Sequence, residues 1–410
     1  MTATTKNRPW WKQFGPGLLV TAAFIGPGTV TTASRAGAEF GYALLWTLVF
    51  AIAATAILQE MAARLGLVAR QDLATAIRGS ISPAPLRWLA LALVLMAIAV
   101  GNAAYQTGNL TGAALGLSLL VDWSQTTCVL AIGFAVMGLL LLGATKGRLQ
   151  TLLIGLVLLM SIAFLATAVV VRPNVNSTLQ GVYSFELPAG SLLTVVALIG
   201  TTVVPYNLFL HATTVQQKWP QDIDAHKALR AARWDTLLSI SLGGLVTMSI
   251  IVTAATVFVQ RQPLEAASEM AAQLEPLLGS AAKNLFALGM LAAGLTSAIT
   301  APLAAGYVAA GSFQWQRYST SQVTTFVALA VALTGTILAL CFGSSPQVTI
   351  VVAQAANGLL LPMIAMFLLF VMNQASLLGE HRNGPAANSL GIAVVIVTVG
   401  LGLRAIGKLL

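Results

Sequence analysis

Long apolar runs alternate with short polar interruptions along the whole chain. Eleven runs stand out, at about 15–39, 42–66, 84–108, 125–145, 150–171, 189–213, 235–259, 283–306, 321–342, 347–371 and 389–407. Each is close to the roughly 20 residues a helix needs to cross hydrocarbon. The pattern predicts an all-α polytopic membrane protein, a single membrane domain over 1–410 with no separate soluble domain. The longest polar connections are 67–83, 172–188, 214–234 and 260–282, and turn formers mark others, as in His381-Arg382-Asn383-Gly384-Pro385. Lys6, Arg8 and Lys12 precede a first run that is too long and too interrupted for a cleavable signal.

Composition sharpens this reading. Of 410 residues 57% are hydrophobic and 8% charged, where a soluble domain carries about 25% charge; water-soluble and disordered classes are both excluded. Cys128 and Cys341 lie in apolar runs, so no disulfide framework is expected. The isoelectric point near 9.9 reflects positive loops beside a bilayer, not a nucleic-acid partner. With a cytoplasmic N-terminus, only Arg35, Arg172, Arg261, Lys283, Arg404 and Lys408 of the 21 Lys and Arg residues fall outside. That asymmetry fits an odd number of spans in the plasma membrane.

Two runs carry helix breakers where a helix should be continuous. The first holds Gly15-Pro16-Gly17 and, mid-span, Gly26-Pro27-Gly28; the sixth holds Val203-Val204-Pro205-Tyr206-Asn207 after Thr201 and Thr202. Proline removes a backbone donor, and lipid cannot satisfy the freed groups, so such a break must face protein or a water-filled cavity. A proline kink would explain either one alone. Spans 1 and 6 correspond if 15–171 and 189–371 are inverted repeats, with 389–407 extra, and paired broken helices point to a transport site at the midplane.

At these residues the chain resembles the NRAMP family of proton-coupled metal transporters. GPGLLVTAAFIGPGTVTTASRAGAEFGYALLW (15–46) is similar to the family's first span, LIGTTVVPYNLFLHA (198–212) to its sixth, GNLTGAALGL (108–117) to its third and GLTSAITAPLAAG (294–306) to its eighth. The resemblance implies a LeuT-type fold of two inverted five-helix repeats plus an eleventh helix, with substrate held between the breaks. The family's metal carriers have Asp-Pro-Gly-Asn at the first break, where this chain has Gly26-Pro27-Gly28-Thr29, and Met-Pro-His at the second, where it has Val204-Pro205-Tyr206. The family's proton-relay acids align with Gln106 and Asn109.

None of the twelve acids lies mid-span in spans 1, 3, 6, 8 or 10; Glu60, four residues before Arg64, is expected to form an ion pair. A lost carboxylate removes about 4 kcal/mol per unit charge pair at 4 Å and an effective dielectric near 20, and twice that for a dication. The restarting half-helices then present uncompensated amides, with Thr29, Thr201, Thr202, Tyr206 and Asn207 as neutral donors and Val204 and Gln354 alongside. The expectation is a secondary transporter of a small inorganic anion. Bicarbonate heads the candidates because the lost ligands look like an NRAMP-related bicarbonate branch. Arg35 is either a cationic guide in the outer vestibule or the partner of Glu39. Entry of an anion into a negative cell costs about 2.3 kcal/mol per charge per 100 mV, so a coupling cation is expected. Sodium fits best, held by Ala22, Ile25, Thr296, Ser297 and Thr300 as the LeuT resemblance implies; the same hydroxyls also suit helix packing.

Asn102, Tyr105, Gln106 and Asn109 form a polar stripe on span three, Asn357 joins Gln354 on span ten, and His211 reads as a core histidine. Trp10, Trp11, Trp88, Trp123 and Trp219 are expected as interfacial anchors. No cofactor is expected, and the chain is expected to be a monomer whose partners are the bilayer and its ion. The alternatives are a divalent cation transporter for hydrated magnesium or manganese, and a non-transporting membrane sensor, which in related proteins carries a long soluble tail. An enzyme is disfavoured, since H-E-x-x-H and G-x-S-x-G are absent.

Overall fold

The computed structural model describes residues 25–143, 148–219, 225–258, 264, 266–313 and 320–409. Among them nine helices are long and apolar enough to cross a membrane, and Gln125–Leu141 is a shorter apolar helix. Pro27–Phe40 is the described part of the first run. The chain is a multi-pass, all-helical membrane protein. The sixth span is innermost: 94% of the most apolar window of Leu192–Lys218 is buried, against 28% for the last span, Pro385–Gly407. Residues such as Phe134, Leu141 and Val169 point outward, as a lipid-facing surface requires.

Local chemistry sets the boundaries. Asp72 caps the short helix Leu73–Ser80 by accepting from the Thr75 amide at 3.0 Å, Ser124 caps Gln125–Leu141, and Asn174 caps Val175–Tyr183. Gly41, at φ 60°, turns the chain out of Pro27–Phe40, a conformation an L side chain resists. Within the spans, Thr55, Thr167, Thr202, Thr247 and Thr253 donate their hydroxyls to the carbonyl four residues back, so these polar groups cost little in an apolar setting.

Several helices outrun the apolar runs. The third continues to Leu120, as Ala84–Leu120, because its polar stripe is buried against other helices and does not end it. The seventh begins at Ala225 and the eighth extends to Phe313; their charged and small end residues form helical turns beyond the apolar length. The connections 67–83, 172–188 and 260–282 contain short helices at Leu73–Ser80, Val175–Tyr183, Ala267–Ala272 and Glu275–Leu278. Trp219 corrects its expected role as an anchor: it is 7% exposed, its ring lies 4.5 Å from Lys218 Nζ, and its carbonyl accepts from Arg70. Trp88 and Trp123 are exposed; Trp10 and Trp11 lie outside the described residues.

Arg64 ties the inner end of span two to the last connection. It pairs with Glu60 at 3.1 Å and donates to Asn383 Oδ1 at 2.7 Å and to the His381 carbonyl at 3.0 Å. Glu60 also holds Arg233 of span seven at 2.8 Å. Arg64→Ala is expected to cost about 2–3 kcal/mol, since it orphans Asn383 and a carbonyl while Glu60 keeps Arg233. The check is the thermal midpoint of the detergent-solubilised protein, which should fall clearly.

Candidate functional site at two broken helices

Both helix restarts, at Pro27 and at Pro205, are built as the prolines demand. Gly26 is extended (φ −107°, ψ −177°) and Pro27 opens the helix Pro27–Phe40, eleven of whose fourteen residues are buried. The bond from Val30 N to Gly26 O at 3.2 Å closes the first turn, and the amides of Gly28 and Thr29 stand at the opening of the helix. Gly26 at the cap position offers no side chain, and no acid lies in the first turn of Pro27–Phe40. In span six, Leu192–Thr202 stops at Val203 and Val204, which are non-helical, and Pro205 starts Pro205–Lys218, again without a side-chain cap. Proline at the first helical position wastes no donor.

A hydrogen bond joins the breaks directly: Thr29 Oγ1 and Thr201 Oγ1 are 2.8 Å apart. Three further spans close around them. From span three, Tyr105 meets Tyr206 edge-on with ring centroids 5.6 Å apart, and a Cβ on Gly112 would overlap Pro27. From span eight, Ser297 lies against Gly26, where an added Cβ would sit 3.0 Å from its Oγ. From span ten, the Gln354 side chain covers Gly28 so closely that no Cβ fits there. A Cβ on Gly200 would overlap the Gln354 carbonyl, and one on Gly358 the Val196 carbonyl, so spans six and ten touch backbone to backbone.

The environment is buried, polar and uncharged. Thr29, Thr201, Thr202, Tyr206, Asn207, Gln354, Asn102, Gln106 and Asn109 are each no more than 1% exposed. Both side-chain polar atoms of Asn207, Gln354, Asn102 and Asn109, and Ser297 Oγ, have no hydrogen-bond partner within the protein. Buried polar groups normally find one, so this concentration marks a place for a polar guest or water. Gln106 is half satisfied, donating to the Ala298 carbonyl at 3.0 Å. The second break also has a negative side: the carbonyls closing Leu192–Thr202 stand opposite the amides opening Pro205–Lys218.

The structure thus brings together Gly26, Pro27, Gly28, Thr29, Thr201, Tyr206, Gln354 and Ser297. Val204 is the extended residue at the second break, and Ile25 is buried just before the first. Thr296 and Thr300 donate to the carbonyls of Ala292 and Thr296, which leaves their oxygen lone pairs available. Ala22 lies outside the described residues. Arg35 is paired with Glu39 at 2.6 Å, so it is not a lone cation. His211 is a buried core histidine, bonded through Nε2 to Thr236 Oγ1 at 3.0 Å.

Two features of the site escaped the sequence reading. Toward the outer side, Gln273 donates to Ser34 Oγ at 2.6 Å with both residues fully buried, so the segment after span seven covers the first span. Toward the side that the positive charges assign to the cytoplasm, a cavity of about 290 Å³ is lined by Asp72, Phe209, Thr213, Tyr307 and Gly311. A lone glutamine in a polar connection gives no signal of such a contact.

Comparison with known proteins agrees with this geometry. A family profile described as "Natural resistance-associated macrophage protein-like" matches residues 17–407. The divalent metal cation transporter MntH 1 of Pseudomonas aeruginosa is 33% identical over 386 residues, covering 90% of this chain and 85% of that one. The divalent metal cation transporter MntH of Chromohalobacter salexigens is 31% identical, covering 98% and 93%. Among solved structures, an Eremococcus coleocola manganese transporter superimposes with a TM-score of 0.79 at 23% identity, covering 100% of this chain and 89% of that one. The nucleobase-cation-symport-1 family transporter Mhp1 superimposes at 0.59 and 13%, covering 99% and 96%. With its LeuT-type architecture and a profile match over nearly its whole length, the chain belongs to the Nramp family of multi-pass plasma-membrane transporters.

Proposed function

We propose that this transporter carries a small inorganic anion between its two helix breaks by alternating access, with bicarbonate as the first candidate. The observation that carries this reading is the acid-free first turn of the helix Pro27–Phe40, opened by Gly26 in place of a carboxylate. The opening turn at Gly28 and Thr29 forms a helix-terminus anion site, Gly26 adds no side chain, the neutral side chains of Gln354 and Thr201 lie against it, and Asn207 stands in the first turn after the second break. Sodium is proposed as the coupling ion, held by Ile25, Ser297, Thr296 and Thr300 together with Ala22; Ser297 beside Gly26 supports this. Sodium entry would offset the roughly 2.3 kcal/mol per 100 mV that an inward anion faces.

A second reading has its own support. The relatives are named as carriers of divalent metals, and the carbonyl end at Thr201 and Thr202 favours a cation. In this chain such a cation would keep part of its water shell, as magnesium does, because the site offers neither carboxylate nor thioether.

Reconstitution into liposomes separates the two. Labelled bicarbonate, magnesium and manganese are each offered with and without a sodium gradient. The expected result is bicarbonate uptake that needs the gradient. Uptake of either metal without bicarbonate flux would establish the second reading, and gradient-independent bicarbonate uptake would remove sodium alone.

A further inference from the structure

The chain has three histidines. One is His211, inside the sixth span; the other two meet at the inner surface. His226, one residue into the seventh helix, and His381, in the connection before the last span, lie edge to face with ring centroids 5.4 Å apart. Glu380 completes the group: one ligand atom from each of the three residues lies within 4.8 Å of the other two, with Glu380 Oε1 3.8 Å from His381 Nε2.

We propose that His226, Glu380 and His381 form a binding site for a divalent transition metal of the zinc class on the cytoplasmic face. Two imidazoles and one carboxylate are a three-ligand set that leaves a fourth position for water. Imidazole suits zinc and its neighbours, whereas magnesium and calcium prefer all-oxygen shells. The three groups are exposed or half-exposed, so a metal can reach them from solution.

The supporting backbone is fixed. Gly379, at φ 53°, starts a single tight turn through His381, whose carbonyl accepts from Arg64 at 3.0 Å. Two residues on, Asn383 bonds Arg64 through its side chain and the Met372 carbonyl through its amide at 2.9 Å. His226 stands two turns before Arg233, which Glu60 ties to the same Arg64. Both ligand-bearing segments are therefore anchored to the inner end of span two, which lowers the ordering cost of binding. A bound metal would clasp the start of span seven to the connection between spans ten and eleven. This holds whichever ion the transport site carries.

The test is a zinc titration of tag-free protein in detergent against a chromogenic chelator, with cobalt as a spectroscopic probe. One equivalent of zinc is expected, with magnesium in excess failing to compete and cobalt giving the visible absorption of a four-coordinate nitrogen–oxygen site. Loss of a supporting partner alone costs metal sites about 10–100-fold, so His226→Ala with His381→Ala should lose at least that much and abolish the cobalt band. His211→Ala should change neither. Should the double variant fail to fold, Glu380→Gln, at a side chain 83% exposed, decides on the same criterion. Wild-type protein that binds no zinc, or variants that bind it as the wild type does, would overturn the site.

Discussion

Gly26→Asp should abolish anion uptake and give the protein measurable affinity for a divalent cation. The new carboxylate would stand at the first break, beside the amides of Gly28 and Thr29. There it would neutralise the positive helix end and repel an anion by about 4 kcal/mol at 4 Å and an effective dielectric near 20, roughly a thousandfold in affinity. For a dication the same term is attractive and doubled. The variant is sterically accessible: the added Cβ sits 3.0 Å from Ser297 Oγ, a hydroxyl on a small side chain that can turn aside. Flux assays on the reconstituted variant, with bicarbonate and manganese offered separately, provide the measurement. Anion transport equal to wild type would place the substrate elsewhere.

Gly200→Ala should cost about 3 kcal/mol, at the upper end of overpacking penalties, and lower the thermal midpoint more than any polar change at the site. The added methyl would meet the carbonyl of Gln354 and the backbone of Gly358, and main chain cannot move aside as a side chain does. Gly358→Ala should behave alike, because its Cβ would meet the Val196 carbonyl in the opposite direction. An unshifted midpoint in both variants would mean that the sixth and tenth spans do not approach this closely.

How much of this could be read from the chain depends on the range of each signal. Broken helices are local: Gly26-Pro27-Gly28 and Val204-Pro205 announce themselves because proline and glycine act on their own backbone, and the helix restart at Pro27 and the break in span six stand where the breakers put them. The i,i+4 pairs Arg35–Glu39 and Glu60–Arg64 were legible for the same reason. Helix ends were not, because apolar length measures the bilayer while helices such as Ala84–Leu120 continue wherever another helix buries their polar stripe. Contacts between distant segments left the weakest trace. Thr29 with Thr201 could be inferred once spans 1 and 6 were paired. Gln273 with Ser34, Glu60 with Arg233 and His226 with His381 join residues more than 150 positions apart, and no spacing rule connects them.

The buried Gln273–Ser34 contact bears on how binding constants for this protein must be interpreted. If its shut outer cover is the resting arrangement, cargo added to right-side-out vesicles meets only the fraction of molecules whose cover has lifted. The measured dissociation constant is then the intrinsic one divided by that fraction. Weak apparent affinity from outside would therefore report the energetics of uncovering as much as the chemistry between the broken helices.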